Sequence, residues 1–142
     1  MRLAIYLLTL VSTSVVSGEQ YISWATNTSA HTCYTASNVS PHHNLNVSIN
    51  LYDINGLIFS GVNPKHTINN ATLGSTFIIE PLKSARVCTS NGSFNKGFGI
   101  VKSWLNSDDA INQMPLLTLN GHYYDWSTSS FSLIPVNNSQ PF

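Results

Sequence analysis

Asn44-Leu45-Asn46-Val47-Ser48-Ile49-Asn50-Leu51-Tyr52 decides the fold class. Leu45, Val47, Ile49 and Leu51 alternate with Asn46, Ser48 and Asn50, a period of two that belongs to a strand with one dry and one wet face. On a helix the same four apolar side chains would be split between opposite sides. Asn46 falls on the wet face, where an attached sugar would have room. Asn55-Gly56 then supplies a pair tolerant of positive φ, and residues 57–59 run back as the partner strand.

The same pattern recurs outward from this hairpin. Residues 76–80 and 85–89 read as short strands around Pro81, and 98–105 is a further apolar strand. Residues 116–119 and 122–126 read as a hairpin about Asn120-Gly121, and 131–136 is a last strand. Near the front, 21–24 and 32–36 are rich in β-formers. Helix signals are confined to 107–113, where Ser107 stands as a cap, Asp108 and Asp109 suit a first turn, and Pro115 ends it. Seven to nine short strands predict an all-β chain: a single small antiparallel β-sandwich, or alternatively a β-barrel, with at most one short helix near 107–113.

Residues 1–18 are set apart from that domain. Arg2 precedes an apolar core over residues 3–11, and the small residues that follow suit cleavage after Gly18. An apolar stretch this short cannot cross a hydrocarbon core, which takes ~20 residues. The segment reads as an export signal, leaving 19–142 as one domain without repeats or linkers.

That domain carries five basic residues (Lys65, Lys83, Arg86, Lys96, Lys102) and six acidic ones (Glu19, Asp53, Glu80, Asp108, Asp109, Asp125). Scattered cations cannot neutralise a run of phosphates, so nucleic acid is excluded as a partner class, and no basic run draws the chain to anionic lipid. No span or lipid-anchor signal is expected after the export segment, because the apolar run at 133–136 is too short.

Charged residues make up 8% of the whole chain, against ~25% in an ordinary soluble domain. Asn, Ser and Thr must therefore keep the surface wet, and many of the asparagines are placed to carry glycans. Asn27, Asn38, Asn46, Asn70, Asn91 and Asn137 all open N-x-S/T tripeptides. Six such tripeptides behind an export signal predict a glycoprotein, Asn38 being the poorest acceptor because Pro41 follows its serine. In an oxidising compartment Cys33 and Cys88 are expected to pair with each other. Closing so long a loop is worth about 4 kcal/mol on the chain-entropy account.

Catalytic and cofactor signals are absent. His42 and His43 are adjacent and would point to opposite faces of a strand. His31, His66 and His122 stand far apart, and all five histidines are expected in loops or at the surface, with no metal or cofactor. No nucleophile elbow occurs. A small secreted hydrolase would have to assemble from Glu80, Asp125 and His122. On a strand His122, Tyr124 and Trp126 share one face, a candidate platform for stacking on sugar rings. Rings of this size are more usually core, as Trp24 and Trp104 are expected to be. The sequence therefore points to a secreted or surface-associated glycoprotein that binds a carbohydrate or a protein, rather than an enzyme. A secreted toxin, effector or decoy would read alike.

Overall fold

The computed structural model describes residues 18–90, 92–105, 116–137 and 140–142. Nine strands follow in chain order: β1 (Gly18–Thr26), β2 (Ala30–Asn38), β3 (Leu45–Asp53), β4 (Ile58–Phe59), β5 (Thr76–Ile79), β6 (Ser84–Cys88), β7 (Asn95–Leu105), β8 (Leu117–Asp125) and β9 (Ser130–Pro135). They form two sheets. The first runs β1-β7-β3, with β4 and β5 both paired along the far side of β3; the second runs β6-β2-β8-β9. Every pairing is antiparallel. Among the described residues no pairing closes either sheet into a barrel, and the chain is a β-sandwich. The helix expected near 107–113 and the export segment lie outside the described residues, apart from Gly18, which opens β1.

The alternation in β3 drives the packing. Leu45, Val47, Ile49 and Leu51 are buried and meet Trp24, Val101, Phe77 and Ile79 from their own sheet and Tyr34, Ala36, Val87 and Leu119 from the other. Fully burying one such side chain stabilises the fold by about 1.5–3 kcal/mol. Two aromatic residues tie this apolar layer to backbone. Trp24 Nε1 donates to the Tyr52 and Phe98 carbonyls at 3.0 and 3.2 Å, and the Tyr34 hydroxyl donates to the Ser23 carbonyl across the sandwich. Trp104, by contrast, is only half-buried and outside the core.

Asn55-Gly56 turns the chain from β3 into β4 as expected, with Gly56 at φ 79° and its N–H donating to the Asp53 carbonyl at 3.0 Å. Asn120-Gly121 does not turn. It lies in the middle of β8, which continues unbroken from Leu117 to Asp125. Glycine is required there for a different reason: a Cβ on Gly121 would stand 2.8 Å from the Tyr34 ring crossing beneath it.

Candidate ligand-binding face

Ladder register defines the outward face of the second sheet. Tyr34, Ala36, Val87 and Leu119 point into the core, so the intervening residues point out. Residues directly opposite across a ladder share a face, and beyond the end row of Ser84, Ser37 and Thr118 three more follow. Arg86, Thr35, Asn120 and Pro135 form one; Cys88, Cys33, His122 and Leu133 the next; His31, Tyr124 and Phe131 the third.

The middle row holds the disulfide. Cys33 and Cys88 are cross-strand partners with Cα atoms 4.0 Å apart, and their sulfurs are bonded. Burial of this pair on an outward face needs a cover, which the segment between β4 and β5 provides. It bridges to the β6 line at Val62–Thr89 and Ile68–Arg86, and residues 63–67 arch between those points. Asn63 shapes the arch: its carbonyl accepts from the His66 N–H (3.3 Å) and the Thr67 hydroxyl (2.8 Å), and its side-chain oxygen from the Lys65 N–H (3.1 Å).

The arch lays His66 on His31, with ring centroids 5.2 Å apart and planes within 17°. Trp126 approaches His31 at 5.2 Å and Tyr124 at 6.3 Å, and His122 stacks on Phe131 at 5.3 Å. Far from being scattered, His31, His66 and His122 are brought to one face. His31 is buried, not at the surface as expected, and its Nδ1 has no hydrogen-bond partner among the described residues. Desolvation, then the neighbouring His66 and His122, holds it below the ordinary histidine value. Desolvation and the Arg86 charge act likewise on His122. Both shifts favour the neutral ring.

His122, Tyr124 and Trp126 do share a face, and none belongs to the core. Trp126 is 40% exposed and Phe131 57%. Beside Trp126 an open cleft of about 520 Å³ is walled by Val62, Asn63, Pro64, Lys65, His66 and Ser90. That volume falls in the range of small-molecule sites.

The carboxylates stand elsewhere. Asp125 closes the turn into β9, accepting from the Ser29 hydroxyl (3.1 Å) and from the Ser127 N–H and hydroxyl (2.9 and 2.6 Å). Those Ser127 hydrogen bonds hold its carboxyl below the usual value. Glu80 pairs with Lys83 in the turn before Ser84. Because Ser84 faces Ser37 and Asp125 faces Ala30, the two acids flank opposite ends of β2, roughly 20 Å apart at ~3.3 Å per residue. A glycosidase pair needs about 5–9.5 Å, so Glu80, Asp125 and His122 are not assembled into one site. His31 lies within 4.8 Å of both cysteine sulfurs. While bonded to each other, those sulfurs offer no thiolate to a metal.

The six acceptor asparagines divide by exposure. Asn70 and Asn137 are exposed with φ of 54° and 46°, and Asn27 is half-buried in a turn, its oxygen 2.7 Å from the Ser29 N–H. Asn91 is outside the described residues. Asn46 departs from expectation. It is only 8% exposed, with Trp104 and Ile78 opposite it on either side, so the wet face of β3 is covered at that position. Asn38 is buried too, its amide donating to the His43 and Ile79 carbonyls (2.8 and 2.9 Å) and its oxygen accepting from the Ser40 N–H (2.9 Å). None of the five described acceptors occupies an outward ladder position of the second sheet.

Compared with known proteins, the chain matches no family model and no curated sequence.

Proposed function

We propose that the protein is a secreted N-glycoprotein that acts by binding carbohydrate on the outward face of its second sheet. The observation that carries this reading is the pair of exposed rings, Trp126 and Phe131, with the half-buried Tyr124 between them and an open cleft beside Trp126. Aromatic faces stack on the apolar sides of sugar rings, and Asn63, Ser90 and Lys65 supply hydrogen-bonding groups beside them. The disulfide supports export, since such bonds persist in oxidising compartments. The export-signal pattern over residues 1–18 points the same way. No helix among the described residues is long and apolar enough to cross a membrane.

A glycan array probed with residues 19–142, with Trp126→Ala as control, tests this. Binding that the substitution abolishes is expected; no binding to any glycan would sink the proposal. A protein partner is the second reading, favoured by Phe131 and Leu133, which stand 57% and 75% exposed on the edge strand. In that case Leu133→Asp, not Trp126→Ala, would remove the interaction.

A further inference from the structure

The distribution of charge narrows the ligand class. Of the five cations beyond Gly18, Lys83 is paired with Glu80 and Lys102 with Glu19, while Lys96 sits 5.7 Å over the Phe94 ring. Lys65 and Arg86 remain. Among the described residues neither meets a carboxylate, and both flank the aromatic face. Lys65 is exposed and lines the same cleft as Trp126. Arg86 stands in the row of Thr35 and Asn120, half-buried, its Nε donating to the Thr35 hydroxyl at 3.2 Å, which leaves its remaining N–H groups for other acceptors.

No Asp or Glu occupies an outward position of this sheet or of the 63–67 arch. Asp125, at the end of β8, turns its carboxylate to Ser29 and Ser127. In a chain with equal numbers of acids and bases, this face has two cations that no carboxylate among the described residues neutralises. Arg86 and Ser90, at the cleft, are four residues apart along the β6 line, roughly 13 Å. That spacing suits an extended oligomer better than a single sugar.

We propose that the ligand is an acidic oligosaccharide, with a sugar ring on Trp126, one carboxylate or sulfate at Lys65 and a second at Arg86. This rests on the carbohydrate reading above. Charge-assisted contacts at an exposed Lys65 and a half-buried Arg86 add modest affinity and are weakened by salt. They set the selection among sugars while the rings supply the shared platform.

Titration calorimetry with residues 19–142 separates the cases. The probes are a sialylated lactosamine oligosaccharide, a heparin-derived hexasaccharide, and asialo and desulfated, N-acetylated counterparts, at low and high salt. The expected result is tighter binding of at least one acidic probe than of its counterpart. Lys65→Gln should lower that affinity about threefold to fivefold and lower binding of the neutral counterpart by less, so that the preference for the acidic probe shrinks. Arg86→Gln, with its unfolding temperature measured alongside, should act in the same direction on probes bearing several acid groups. The sialylated arm responding alone assigns a carboxylate sugar, and the heparin arm alone a sulfated one. Equal binding of acidic and neutral partners, or an acid preference untouched by Lys65→Gln, overturns this inference and leaves carbohydrate binding standing. No binding by any probe, with a silent glycan array, overturns both.

Discussion

Gly121 lies flat against Tyr34: a Cβ at position 121 would stand 2.8 Å from one ring carbon and 3.1 Å from the next. The Tyr34 ring cannot retreat, because it is buried and its hydroxyl is bound to the Ser23 carbonyl of the facing sheet. Gly121→Ala should therefore destabilise the fold by about 1–3 kcal/mol, the usual cost of overpacking a core. Chemical denaturation measures this, and an unchanged midpoint would show that the two strands can separate freely.

Asn38 holds three backbone groups at once, from His43, Ile79 and Ser40. Its removal leaves buried carbonyls unpaired, so Asn38→Ala should cost about 2–4 kcal/mol. The same geometry makes it unavailable as a glycan acceptor once the chain has folded, and Asn46 shares that fate by burial. Glycopeptide mass spectrometry of protein secreted from eukaryotic cells should find Asn70 and Asn137 occupied and Asn38 and Asn46 bare, because a nascent chain glycosylated at either buried position could not complete its sandwich and would not be exported. High occupancy at Asn38 would contradict the packing described here.

Leu82 turns the chain from the first sheet to the second with φ at 56°, yet its side chain is 71% exposed. It bears the strain of a left-handed residue without compensating burial. Leu82→Gly should raise stability by up to about 1 kcal/mol, the left-handed penalty reduced by the entropy of a freer unfolded chain. A lowered unfolding temperature would mean that Leu82 makes contacts its exposure does not reveal.

His31 and His122 titrate below the ordinary histidine value in the folded protein. As pH falls through about 6.5 the unfolded chain takes up protons before the folded one does, so their contribution is present above that value and lost below it. Asp125 and Glu19, lowered as carboxylates, act in a separate window near pH 4 and below. The unfolding temperature should accordingly fall between pH 7.5 and 5.5. His31→Phe should flatten that slope, and a slope unchanged in the variant would remove His31 from the account.

The fold class was legible because Leu45, Val47, Ile49 and Leu51 report their dry face locally, without reference to any other part of the chain. Gly121 shows the limit of such signals. Asn-Gly marks a hairpin when nothing else requires the glycine, but here an aromatic ring brought from β2 requires it, and β8 simply continues. Asn46 fails for a similar reason, since its cover comes from neighbouring strands. The candidate face was half legible. The period of two placed His122 and Tyr124 together, extending to Trp126. Nothing in the spacing of His31 and His66 could show that an arch over the disulfide would stack them.

The pairing of β1 with β7 and of β2 with β8 also has a consequence in time. Each early strand finds its long partner late in the chain: Glu19 opposite Lys102, Ala30 opposite Asp125. Neither sheet can close while the chain is still being made through its first two thirds, and such non-local pairing is slow. Cys88 precedes both late strands, so oxidation can join it to Cys33 while the chain is still open, setting β6 against β2 before β8 arrives. Formed at that stage, the covalent link would act as a template for assembly before it acts as a brace.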